Sequence, residues 1–144
     1  MIIARATSPA DLGACLAIRR EVFVVEQQVP EEMEYDELDA SALHFLASRD
    51  GEPLGTARVV LKEGGRVAKV GRVAVRRAAR GTGLGLALMR AVEAEEALAG
   101  VAEMVLEAQT HAIPFYERLG YVAEGEEYLD VGIPHRVMRK RRGA

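Results

Sequence analysis

The sequence predicts an α+β fold, a mostly antiparallel β-sheet with helices packed on it. Between Ala42 and Val75 three apolar stretches are joined by the turn signals Asp50-Gly51 and Gly64-Gly65, the mark of an antiparallel meander. A long amphipathic stretch follows directly, and beyond it short apolar runs alternate with one short helical segment. With 144 residues, 49% of them hydrophobic, the chain is expected to form a single domain over 1–144 with a core of its own.

In order, Met1 to Arg5 reads as an opening strand. Ser8 caps a helix with Pro9 at its first position, and Leu12, Cys15, Leu16 and Phe23 recur at helical spacing. Cys15 therefore faces the core as an inert thiol. The segment from Glu26 to Asp39, which contains Pro30, reads as a loop with at most short structure. Strands follow at Ala42–Ser48, Leu54–Lys62 and Val67–Val75. A helix is expected from Thr82 to Ala99, with Leu84, Leu88, Ala91, Val92 and Leu98 on one stripe and Glu95 interrupting it. Gly100 ends it, and Glu103–Ala108 is the next strand. In "THAIPFYERLG", Thr110 caps a short helix and Gly120 closes it. Final strands are expected at Tyr121–Glu124 and His135–Arg139.

The net charge of −3 speaks against a dedicated nucleic-acid binder. One cysteine excludes a disulfide framework, and His44, His111 and His135 have no zinc-ligand spacing, so no metal is expected. No basic leader with a long apolar run is visible, and no window is apolar enough to span a membrane, which makes a cytoplasmic protein without membrane partners the expectation. Charge is unevenly spread. Glu21 to Ser48 holds eight acids and no Lys or Arg, while Arg66 to Arg80 holds six basic residues and no acid. Such runs suit two solvated faces, and equally an anionic ligand beside a cationic one.

"RGTGLG", Arg80 to Gly85, lies between the strand ending at Val75 and the long helix. Glycines let a backbone approach a ligand, and a helix start offers unpaired N–H groups and a positive dipole end. With Arg76, Arg77 and Arg80 nearby, the turn suits a pyrophosphate. It is neither a Walker A loop nor a complete G-x-G-x-x-G, since Leu86 stands where a third glycine would fall.

Arg80-x-x-Gly83-x-Gly85 resembles the R/Q-x-x-G-x-G/A signature of the GNAT N-acetyltransferases, and "AIPFYERLGY" from Ala112 resembles that family's A-x-x-F-Y-x-x-L-G-F/Y helix. The element order also agrees. Within the family the chain is most similar to the ElaA type, through "VFVVEQQVP" from Val22, "DELDASALHFL" from Asp36, "AQTHAIPFYERLG" from Ala108 and "GEEYLDVGIPH" from Gly125. Gln109, where the wider family more usually has Asn, fits that subgroup.

The resemblance implies a mixed, mostly antiparallel sheet whose fourth and fifth strands splay apart to make a cofactor slot between Val73–Val75 and Leu106–Gln109. It implies acetyl-CoA as cofactor. Backbone groups of Arg80, Gly81, Thr82, Gly83, Leu84 and Gly85 would hold its pyrophosphate. Val73, Ala74 and Val75 would pair with its pantetheine, with Gln109 and Tyr116 beside them. Tyr116 matches the tyrosine that serves the departing thiolate. Glu26, Glu107 and His44 are rival bases, with a water chain and no dedicated base as the alternative, and Glu26, His44, Asp130 and His135 are candidates for the amine acceptor. His44 reads more readily as a core histidine satisfied by the backbone, and the Asp130–His135 stretch reads equally as a turn. The activity implied is acetyl transfer to a small-molecule or peptide amine, and the family's frequent dimers admit a homodimer. A non-catalytic acyl-CoA sensor is the alternative. A dinucleotide oxidoreductase would need a parallel sheet starting at the turn, with Glu107 as its ribose-binding acid.

Overall fold

The computed structural model describes residues 1–142. After strand β1 (Ile2–Arg5), the Asp11 amide donates to Ser8 Oγ at 3.1 Å, and that cap with Pro9 opens α1 (Pro9–Arg19). The helix runs on as a wider π-helical segment, Arg20–Glu26, a form common at functional sites. The acidic segment holds only the short α2 (Glu31–Glu34) and a 3-10 turn, Glu37–Ala40. The meander forms as expected, from β2 (Leu43–Arg49), β3 (Glu52–Lys62) and β4 (Val67–Val75). Helix α3 (Leu84–Ala94), β5 (Glu103–Gln109), α4 (Ile113–Glu117), β6 (Val122–Asp130) and β7 (Ile133–Arg141) complete the order.

The seven strands form one sheet in the order β1-β2-β3-β4-β5-β7-β6. All neighbours are antiparallel except β4 and β5. Leu84, Leu88, Met89 and Val92 of α3 bury one side of the sheet with Val59, Val70, Met104 and Leu106. Ile18 and Val22 cover the other side against Ala74. Cys15 is fully buried, its Sγ 3.5 Å from the Phe45 carbonyl, and burial pushes its thiol pKa up, as an inert core thiol requires.

Four boundaries differ from expectation. Helix α4 starts at Ile113 with Ala112 as its N-cap, and the Thr110 hydroxyl donates to Glu127 at 2.7 Å instead of capping it. Helix α3 starts at Leu84 rather than Thr82 because Gly83 takes a left-handed φ of 85° as its N-cap. It stops at Ala94 rather than Ala99. Continuing would bury Glu95 in the apolar stripe; instead Glu95 turns extended (φ −61°, ψ 131°) and its carboxylate lies 3.6 Å from Arg5, while a 3-10 turn, Glu96–Leu98, delivers Leu98 to the core. The last two strands are longer than expected, for they form one hairpin. Val131 and Gly132, both at positive φ (46° and 77°), make the turn that suits such a ribbon.

Candidate active site

β4 and β5 pair in parallel only from Val67 to Val70 and from Glu103 to Leu106. Beyond those positions the strands diverge. β3 stays paired with β4 up to Val75, and β7 stays paired with β5 up to Gln109, so the opening lies inside the sheet. It widens into a cavity of about 790 Å³ whose wall includes Val73, Ala74, Val75, Glu107 and Gln109. At Arg72 the backbone takes φ 50°, beside the register irregularity between Thr56 and Arg58. A non-glycine residue there costs on the order of 1 kcal/mol. The Arg72 guanidinium helps hold it, donating to the Glu34 carbonyl at 3.0 Å and to the Glu34 carboxylate at 3.1 Å.

The glycine turn also borders the cavity, through Arg80, Gly81, Gly83 and Gly85. Gly81 and Gly83 stand at φ 75° and 85°, values that disfavour any residue with a Cβ. Gly85 is different: it is helical, and a Cβ there would sit 3.5 Å from the Phe115 ring and 3.6 Å from Val75, in the slot wall. Leu84 is buried in the core and Thr82 donates its hydroxyl to the Ala79 carbonyl, so these two bring only main-chain groups to the turn.

The two charge runs are not two separate faces. They bind each other. Arg76 donates to Glu21 at 2.9 and 3.1 Å, and Arg80 to Glu26 at 3.0 and 2.8 Å. Arg72 takes Glu34, and Arg58 of β3 takes Asp36 and Asp39 at 2.7 and 3.1 Å. Arg19, only 1% exposed, completes the network with Glu34 and Asp39, each at 2.7 Å. Burial raises the Asp39 pKa, but the hydrogen bonds and charge of Arg19, then Arg58, outweigh it and draw the carboxyl down to about 2. The segment Glu21–Asp39 is thereby strapped across β3 and β4, and its acids are largely spent on protein rather than offered to a ligand.

Tyr116, on α4, lines the cavity while remaining 92% buried, edge-on to Phe115 and Tyr121 with ring centroids 5.0 and 6.0 Å away. Burial pushes its phenol up to about 12, so it stays protonated at neutral pH. Glu107 lies on the wall 3.4 Å from Lys69, and Gln109 donates to Gln27 and accepts from His111, both at 2.8 Å. Asp130 and His135 border the same cavity from the β6–β7 hairpin, where His135 Nδ1 donates to the Ile133 carbonyl at 2.7 Å. The turn and the wall are thus one stretch. His44 is the exception among the expected acceptor residues: it lies outside the cavity, buried, with Nε2 donating to the Asp39 carbonyl at 2.9 Å. It is a core histidine.

Sequence reasoning missed Gln27, Arg58, Arg72 and Tyr128. Tyr128 stacks on His135 at 6.0 Å with its hydroxyl buried and unpartnered. Burial, and after it the nearness of Glu107, raises its pKa. The opposite charges of the two runs hinted at Arg72, and nothing in the sequence singled out Arg58.

An N-terminal meander, a lone parallel pair that splays, a glycine turn at a helix start and a buried tyrosine on the facing helix define an acyltransferase of one particular kind. The family model described as acetyltransferase (GNAT) domain matches residues 4–142, and the chain belongs to that family. It is an acetyltransferase. YjcF of Bacillus subtilis, described as an uncharacterized N-acetyltransferase, is 41% identical over 85% of this chain and 87% of its own. An acyl-CoA N-acyltransferase structure from Pseudomonas aeruginosa is 40% identical with TM-score 0.82, covering 96% and 97% of the two chains. Escherichia coli ElaA is 29% identical with TM-score 0.85 over 97% and 99%. Membership in an enzyme family decides against the sensor reading. The dinucleotide reading also falls, since β4–β5 is the one parallel pair among the described residues.

Proposed function

We propose that the chain transfers an acetyl group from acetyl-CoA to the primary amine of a small molecule or peptide, in the cytoplasm. The observation that carries this reading is the splay of β4 from β5 past Val70 and Leu106, opening a cavity bordered by both the glycine turn and Tyr116. A slot between strands suits a thin, amide-bearing arm, and the left-handed glycines at its border free main-chain N–H groups for a diphosphate. The name of the 40%-identical Pseudomonas relative, an acyl-CoA N-acyltransferase, supports the same donor.

Val73 to Val75 would pair with the pantetheine arm, and Arg80 to Gly85 would hold the pyrophosphate. Bound there, the coenzyme supplies an activated thioester carbonyl. The amine nitrogen attacks that carbon, a C–N bond forms, the C–S bond breaks, and the sulfur leaves with the electron pair. A thiol has a reference pKa of about 8.5, so outright proton transfer from a phenol near 12 would run uphill by about 5 kcal/mol. Tyr116 therefore acts by donating a hydrogen bond to the sulfur, which stabilises the charge as it develops. Of the two candidate bases, Glu26 is held by Arg80. Glu107 is the better placed to accept the amine's proton, directly or through water, because it shares the open sheet face with Gln109 and His135.

Calorimetry with acetyl-CoA, followed by free-thiol release in the presence of an amine panel, tests this. Binding and amine-dependent release are expected. No heat of association at millimolar acetyl-CoA would end the reading.

A further inference from the structure

We propose that the acceptor amine also carries an anionic group, and that Arg58 recognises it. The inference rests on the acetyltransfer reading above and concerns the same cavity.

A charge audit of the wall leads there. Its acids are Glu26, Glu34, Glu107 and Asp130, and its strong bases are Arg58, Lys62, Lys69, Arg72, Arg80 and Arg118. Glu26 is taken by Arg80, and Glu34 by Arg19 and Arg72. Glu107 shares its charge with Lys69. Arg58 has Asp36 and Asp39 beside it, so among the described residues Lys62 and Arg118 stand against Asp130 alone, and the remaining excess is small and positive.

Arg58 is the most constrained of these bases. Its side chain is only 8% exposed, yet its partners are concentrated on one nitrogen: Asp36 at 2.7 Å and Asp39 at 3.1 Å both accept from Nη1. Nε is buried without a partner, and Nη2 makes no hydrogen bond among the described residues. A buried guanidinium that leaves donors unspent is costly unless something else takes them. Its flat fork can bind a pair of oxygens on either a carboxylate or a phosphate.

The position fits a substrate role. Arg58 lies opposite Gly71, two residues before the Val73–Val75 stretch, or roughly 7 Å along the strand. Arg58, Val60 and Lys62 alternate onto one face of β3, and Lys69 pairs with Val60 on that face. Glu107, on the same face through the pairing of Lys69 with Val105, gives the amine a counter-charge. Met33 and Leu38, both exposed and both on the wall, offer apolar cover from the strap above. An amine, an anion and an apolar body describe an amino-acid-like acceptor better than a polycation.

Matched acceptors test it. Leucine is compared with leucinamide, and phosphoethanolamine with ethanolamine, by thiol release from acetyl-CoA, alongside a lysine-rich peptide. The anionic member of at least one pair should show a kcat/KM tenfold or more above its neutral partner. Preference in the first pair alone identifies a carboxylate, and in the second alone a phosphate. Arg58→Gln should lower kcat/KM for the anionic member at least fivefold more than for the neutral one, through KM, with Arg58→Lys retaining part of the preference. Equal or better use of the neutral partners or of the peptide overturns the inference, as does an equal loss for both members in Arg58→Gln. Should that variant fail to fold, the wild-type ratios decide alone. Acetyl-CoA binding without transfer to any anionic amine sinks this inference and spares the coenzyme reading; absent binding sinks the coenzyme reading itself.

Discussion

Gly85 occupies the second position of α3, in ordinary helical backbone, so nothing in its dihedral angles requires glycine. A methyl group there would meet the Phe115 ring at 3.5 Å and Val75 at 3.6 Å, which is normal contact. For the fold alone, Gly85→Ala should be favourable. Helix propensity contributes up to about 1 kcal/mol, less in a first turn, so a gain of about 0.5–1 kcal/mol is expected. A chain of 144 residues has an unfolding entropy of roughly 0.3 kcal/mol/K, so the melting temperature should rise by about 2–3 °C. Under the proposed coenzyme reading the same methyl is harmful, because Phe115, Val75 and Gly85 all border the cavity and the added carbon would crowd the main-chain N–H groups proposed to hold the diphosphate. Losing one charge-assisted hydrogen bond costs about 1.5–3 kcal/mol, a tenfold or greater rise in Kd for acetyl-CoA. Calorimetry and thermal unfolding on one preparation read both effects. A variant that melts higher and binds equally well would show that the glycine turn does not hold the ligand.

Tyr116→Phe should lower kcat by tenfold or more with KM for acetyl-CoA within about twofold, and wild-type kcat should show no alkaline loss assignable to this phenol below about pH 10, given its pKa of about 12. Glu26→Gln releases Arg80 and should tighten acetyl-CoA by up to about fivefold, in keeping with an exposed ion pair worth at most about 1 kcal/mol; unchanged or weaker binding would show that Arg80 has no phosphate role. Arg19→Leu leaves Glu34 and Asp39 without their buried partner and should cost about 3–5 kcal/mol, seen as a fall in melting temperature of about 10 °C or more. Because the folded Asp39 pKa lies below its unfolded value, its stabilisation is complete above about pH 4 and is lost as pH falls towards 2; Asp39→Asn should flatten the acid limb of a stability–pH curve there. Gly55→Ala would place a Cβ 2.7 Å from Leu84, fully buried at the start of α3, and should destabilise by about 1–3 kcal/mol.

The fold was legible where local signals sufficed. Ser8 and Pro9, the Asp50-Gly51 and Gly64-Gly65 turns and the glycines before α3 act within a few residues of themselves, and the elements they bound formed nearly as expected. Glu95 was read as a flaw in a helical stripe when it marked the helix end, since only tertiary burial reveals what a charge in that stripe would cost. Cavity-lining residues such as Tyr116, Glu107, Asp130 and His135 could be named through motif resemblance. Arg58 and Arg72 could not. Their meaning depends on carboxylates 19 to 38 positions away, and no periodicity carries pairing over that distance. His44 leaned towards a core histidine held by the backbone, which the structure bears out, but a lone histidine does not report that its partner is the Asp39 carbonyl.

Where two neighbouring strands part company in the middle of a sheet, each is left with bare peptide groups that would normally lie only at the rim. Rims invite other polypeptides to add themselves, and proteins guard against that with charges and short ends. Here the bare groups of β4 and β5 sit in a crevice walled by β3 on one side and β7 on the other. An edge enclosed by two paired strands is less open to a foreign strand than one at the rim of the sheet. The parting therefore lets the fold carry bare strand backbone in its interior without presenting it at the rim, where aggregation partners would find it.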